Sequence, residues 1–191
     1  MAFLTELWLP IVLSAVGVFI ASMVIHMFLP VHRKDWGKMD AEAPVLESLR
    51  ANGVKPGRYM FPACEDWKDW NTPEMAEKIK QGPVGWLLIM PGPWNMGKSM
   101  STWFLYTIIV TTLTAYVAWF ALEPGAEYLR VFQITATTAA MAFAIGNMPD
   151  SIWKGVSWKV TFKFIIDGII YALLTAGLFA WLWPEAVTVA T

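Results

Sequence analysis

The chain holds one cysteine, Cys64, and two histidines, His26 and His32, among 191 residues. A single thiol excludes an intramolecular disulfide framework and any metal site built from several cysteines. The histidines are six residues apart, so on one helix they would not share a face. That spacing excludes a pair of axial histidines for haem from one chain. The sequence has no Ser-His-Asp or Cys-His spacing that would mark a nucleophile. No catalytic residue, metal or cofactor is therefore expected, although a bound lipid could be accommodated.

Charge is also scarce. Charged residues make up 15% and hydrophobic residues 57%, against about 25% and about 45–50% in an ordinary soluble domain. The net charge of −1 excludes the basic face that a nucleic-acid partner requires. So much apolar surface must be buried in something other than the chain's own core.

What is present in abundance is long apolar runs: Leu7 to Leu29, Met100 to Leu122, about Tyr128 to Met148, and about Val160 to Trp183. Each is near the ~20 residues that a helix needs to cross a ~30 Å hydrocarbon layer. Only helices can span lipid as separate segments, because a lone strand leaves its backbone polar groups unpaired. The first run has Glu6 in place of a basic n-region and is too long for a signal peptide. The reading is an all-α membrane protein with four transmembrane helices: residues 1–29 carry the first, 30–99 form a cytoplasmic segment, and 100–191 carry the other three.

Orientation follows from the basic residues. Ten of the fourteen Lys and Arg lie between Arg33 and Lys98, and Lys154, Lys159 and Lys163 flank the start of the last span. The positive-inside rule puts these segments in the cytoplasm of a bacterial inner (plasma) membrane, and both termini outside. Nine tryptophans fall at span ends: Trp8, Trp119, Trp181 and Trp183 at the outer side, and Trp36, Trp94, Trp103, Trp153 and Trp158 at the inner side. Trp favours such interfaces.

Residues 30–99 read as a small α+β subdomain. Pro44–Ala51 followed by Asn52-Gly53 is a short helix with a glycine stop, and Thr72-Pro73-Glu74 starts another that ends at Gly82. Arg58–Phe61 and Val84–Met90 can pair as two strands, a unit marginal alone. At the end of the segment, Gly92-Pro-Trp-Asn-Met-Gly97-Lys98-Ser99 matches the P-loop pattern letter for letter. Its context is wrong for nucleotide. A membrane span follows, Pro93 removes an N–H from the cradle, and no strand ends in an Asp for Mg²⁺. It reads as an interfacial turn, with Lys98 toward headgroup phosphates and Ser99 capping the second span.

Asp167 is the polar residue of most interest, lying about 12 Å along the last helix from Lys159. An ionisable group there needs a partner. One reading is an i, i+4 ion pair with Lys163. The other is a polar cluster at the inner end of the bundle: His26 from span one, Tyr106 with Thr107 from span two, Asn147 with Thr137 and Thr138 from span three, and Asp167. Small residues spaced by four, Ala136, Ala140 and Ala144 and then Gly168, Ala172, Ala176 and Ala180, predict close packing of spans three and four.

The segment from Met96-Gly-Lys-Ser into the second span, and the Lys154-Gly-Val-Ser-Trp-Lys159 turn leading into Phe164–Tyr171, resemble a bacterial family of small four-helix membrane proteins of unknown function. The resemblance implies the four-helix fold and brings no activity with it. On function, the first reading is a non-enzymatic accessory subunit or small oligomer. The alternatives are a carrier or proton-coupled permease using Asp167 and His26, and a membrane-embedded enzyme acting on lipid.

Overall fold

The computed structural model describes residues 2–186, which form two compact units. Of these, the first comprises residues 2–35, 96–152 and 156–186, and the second residues 36–95 with 153–155. Four helices of the first unit are long and apolar enough to cross a membrane.

Helix α1 (Trp8–Met23) follows one helical turn at Ala2–Glu6 and runs on into a π-helical turn, Val24–Phe28. In the second unit, α2 (Glu42–Ala51) and α3 (Pro73–Gln81) accompany strands β1 (Gly57–Phe61) and β2 (Gly85–Ile89). The first unit resumes with α4 (Met96–Ala121) and α5 (Tyr128–Phe143). A short α6 (Met148–Lys154) then leads through Gly155 to α7 (Trp158–Trp181).

The second unit matches its sequence signals closely. Asn52 caps α2 and Gly53 takes a positive φ of 60°. Thr72 Oγ1 accepts the Met75 N–H at 3.3 Å, Pro73 opens α3, and Gly82 closes it at φ 59°. Strands β1 and β2 pair antiparallel, with Tyr59 opposite Leu87. The strand ahead of Gly92 is therefore part of a two-stranded antiparallel ribbon rather than the parallel sheet of a P-loop.

In the first unit α1, α4, α5 and α7 form a ring in which each packs on two others, α5 on α7 most extensively. Each buries one stripe of small and β-branched residues. On α7 that stripe includes Thr161, Asp167, Gly168, Tyr171, Ala172, Thr175, Ala176, Phe179 and Ala180, an i, i+3, i+4 spacing that makes one helix face. At Gly168 the backbone of α7 lies directly against that of Phe143 and Ala144. A Cβ there would lie 2.6 Å from the Ala144 Cα and nearer still to the Phe143 carbonyl.

Several expectations need correction. The buried seam of α5 is Val131, Thr135, Ala139 and Phe143, while Ala136 and Ala140 are half-buried and Ala144 alone of the expected three is buried. Val131 packs in a cluster with Phe179, and Phe143 meets Tyr171 edge-on with ring centroids 5.8 Å apart. Span three does not continue to Met148 as one helix but breaks at Ala144 into a 3₁₀ turn, Ile145–Asn147. Helix α4 starts at Met96, four residues early, so Ser99 sits inside its first turn and does not cap it.

One end of the ring is closed by Leu7, Ile11, Ala115, Ala118, Val131, Phe179 and Trp183, with the Trp183 indole donating to the Glu123 carbonyl at 3.0 Å. The other end holds Val18, Ile25, Val110, Ala139, Phe143, Tyr171 and Ala172. There the Trp103 indole ties α4 to α1 by donating to Ser22 Oγ at 2.8 Å. The candidate site lies at this second end.

Candidate functional site

The site begins with a break in the backbone. At the end of α1 the Leu29 N–H bonds to the Val24 carbonyl at 3.1 Å, an i to i−5 bond that widens the last turn. A widened turn of this kind recurs at functional sites. Leu29 is then extended (φ −80°, ψ 146°), as the residue before a proline prefers. Pro30–His32 forms a 3₁₀ turn. On a continuous helix His26 and His32 would be about 9 Å apart along the axis and on different faces. The corner at Leu29-Pro30 turns His32 back, and the two imidazole centroids come within 4.3 Å.

Helix α7 supplies the other half. Phe164 packs beneath both rings, 5.7 Å from His26 and 5.0 Å from His32. One turn on, Asp167 is buried, at 5% exposure. Its Oδ2 lies 2.9 Å from His32 Nε2 and 3.6 Å from His26 Nε2. Three potential ligand atoms, one from each residue, lie within 4.8 Å of one another. Six residues apart in sequence, His26 and His32 nonetheless meet at one site with Asp167, so their spacing does not exclude a metal site.

Behind the histidines stands Asp35, buried among its partners. Its Oδ2 accepts from His32 Nδ1 at 2.6 Å, and its Oδ1 is held by the Lys163 ammonium, which also donates to the Val31 carbonyl at 2.7 Å. Burial works to raise the Asp35 carboxyl. The hydrogen bonds from Lys163 and His32, with their charges, outweigh it and hold the group below the ordinary aspartate value. The expected Lys163–Asp167 pair is thus not formed. The tertiary partner wins because Asp35 offers Lys163 a short route toward the end of the bundle, whereas Asp167 lies deeper and faces the histidines.

Two further members of the expected cluster are engaged elsewhere. The Tyr106 hydroxyl donates to the Ala142 carbonyl at 3.1 Å, and its ring stacks on Trp103 with centroids 5.3 Å apart. Asn147 Nδ2 donates to the Phe143 and Ala144 carbonyls at 3.0 and 3.1 Å, closing the C-terminus of α5. Thr107 and Thr138 donate to backbone carbonyls of their own helices, at 2.7 and 2.8 Å. Sequence reasoning located His26 and Asp167 and missed His32 and Asp35. The signal that could have found them is Pro30, which ends the helix between the two histidines.

Chemically, the arrangement is an N,N,O donor set with one buried carboxylate, one imidazole oriented by a second carboxylate, and one imidazole about a third exposed at its side chain. No family model matches the sequence, and no curated protein or solved structure matches it.

Proposed function

We propose that this chain is a multi-pass protein of a bacterial inner membrane that acts without enzymatic chemistry, as an accessory subunit or a small oligomer. Both termini lie outside and residues 30–99 lie in the cytoplasm. The observation that carries the membrane reading is the outer surface of the four long helices. Leu105, Ile109, Leu113 and Phe120 on α4, and Phe162, Ile166 and Leu173 on α7, are exposed. An apolar surface of this extent is a liability in water, whereas in hydrocarbon it is the required outer face.

The packing supports the non-catalytic role. Inside the ring the buried hydroxyls of Thr111, Thr114, Thr135 and Thr175 donate to carbonyls of their own helices and that of Thr107 to Phe104 and Ala15, whereas those of Ser14 and Tyr171 have no partner among the described residues. A carrier would need such groups turned toward a pathway. A lipid-acting enzyme would need the Tyr106 hydroxyl, which is engaged by the Ala142 carbonyl. Trp8 and Trp181 at one end, and Trp158 at the other, are exposed as interfacial anchors.

The test combines carbonate extraction with reporter fusions. The protein should stay in the carbonate-washed membrane fraction. Alkaline phosphatase should be active at residue 186 and inactive within residues 36–95, and a green fluorescent fusion should show the reverse. Release by carbonate sinks the membrane reading. A monomer without a stoichiometric partner in mild detergent sinks the subunit reading.

A further inference from the structure

We infer that His26, His32 and Asp167 form a binding site for one divalent transition-metal ion of the zinc or ferrous class. The inference goes beyond the proposed function, and its geometry does not depend on the membrane reading.

Asp35 is paired with Lys163, so it is a carboxylate, and it accepts the hydrogen bond from His32 Nδ1 at 2.6 Å. The Nδ1 proton therefore faces Asp35, and in neutral imidazole the Nε2 lone pair faces the other way. What it faces is Asp167 Oδ2, 2.9 Å away. The approach lacks the geometry of an Nε2–H hydrogen bond, so a proton on Nε2 does not account for it. Neither atom makes a hydrogen bond among the described residues, and both are inaccessible to solvent there. The ring is thus close to the carboxylate without aiming an N–H at it, as two ligands do when both point at a third atom.

The distances suit an ion. Ligands at about 2.0–2.2 Å from zinc in a tetrahedron are separated from each other by roughly 3.3 Å. The separations of 2.9 and 3.6 Å about Asp167 Oδ2 fall either side of that value. His32 held through Nδ1 by Asp35 is the carboxylate–histidine–metal arrangement, in which the outer carboxylate orients the ring and raises its basicity. His26, with its side chain 34% exposed, leaves one side of the centre open to a fourth ligand such as water. Two imidazoles and one carboxylate suit Zn²⁺ or Fe²⁺. The absence of thiolate disfavours Cu⁺, and the two nitrogens disfavour Ca²⁺ and Mg²⁺.

The experiment uses the full chain, purified in mild detergent through a tag without histidines and stripped with a chelator. Zn²⁺ is titrated in competition with a chromophoric chelator, and Co²⁺ is added separately for its visible absorption. The expected result is one tight ion per chain, a cobalt spectrum typical of four or five nitrogen and oxygen ligands, and no comparable binding of Mg²⁺. Asp167→Asn and His32→Ala should each weaken zinc binding at least 100-fold. Asp35→Asn, acting through His32, should weaken it about 10–100-fold with the stoichiometry kept. Glu74→Gln and Cys64→Ser, in the other unit, should change nothing. No stoichiometric binding by the unaltered chain overturns the inference, as does binding that Asp167→Asn and His32→Ala leave intact. The wild-type cobalt spectrum decides the matter even if a ligand variant fails to fold.

Discussion

Gly168→Ala adds one methyl group where α7 meets α5, and the structure sets what it should cost. The new Cβ would lie 2.6 Å from the Ala144 Cα and closer to the Phe143 carbonyl. Ordinary carbon contacts are about 3.5–4.0 Å, so α7 would have to retreat by roughly 1 Å. Overpacking of this kind costs about 1–3 kcal/mol. Because the obstructing atoms are backbone and cannot rotate aside, the upper part of that range applies. Alanine also recovers up to ~1 kcal/mol of helix propensity over glycine, which would blur a single measurement. Gly177, on the same helix, provides the control, since nothing lies within 4 Å of a Cβ built there. Gly177→Ala gains the propensity without the clash, so the difference between the two variants isolates the overpacking. Gly168→Ala should be the less stable by about 2–3 kcal/mol. At about 2–4 °C per kcal/mol for a chain of this size, that is roughly 4–12 °C in detergent melting temperature. Equal melting of the two variants would refute the close approach of α7 to α5, and with it the placement of Asp167 beside that contact.

Two further predictions concern charge. Lys163→Met leaves Asp35 buried without its cation. It should destabilise the chain by about 2–3 kcal/mol, below the usual cost of breaking a fully buried pair because Lys163 keeps some exposure; a melting temperature equal to wild type would show that Asp35 finds another partner. Glu74 accepts from Lys78 at 2.8 Å, which holds its carboxyl below the ordinary value of 4.5. Its folded pKa is depressed, so the small stabilisation is present above 4.5 and is lost as pH falls through the folded value. NMR titration should place Glu74 below 4.5 and Lys78→Met should return it; an unchanged titration in that variant would discount the pair.

The parts of the fold that could be read from sequence are those set by local rules. Helix α3 carries a threonine cap, a proline at its first position and a glycine stop, and it forms where those residues put it. The apolar runs became the four long helices because their length and composition admit little else. Helix periodicity carried less of the rest. It made Lys163 the natural partner of Asp167, but a residue 128 positions away took the lysine. It also put the seam of α5 one position late, since small size marked Ala136 and Ala140 while the rotation of the helix buried Thr135 and Ala139. The largest omission was His32. Counting six residues from His26 assumes that the helix goes on, and Pro30 means that it does not.

The candidate centre draws on residues 26, 32 and 35 from the start of the chain and on 163 and 167 from its last long helix. During synthesis the first three emerge well over a hundred residues before the last two, and they supply only two of the three ligands. Closure waits for α7 to be made and to dock against α1. An ion held there would mark a chain completed to its last long helix, and a truncated chain lacking α7 would be unable to retain one.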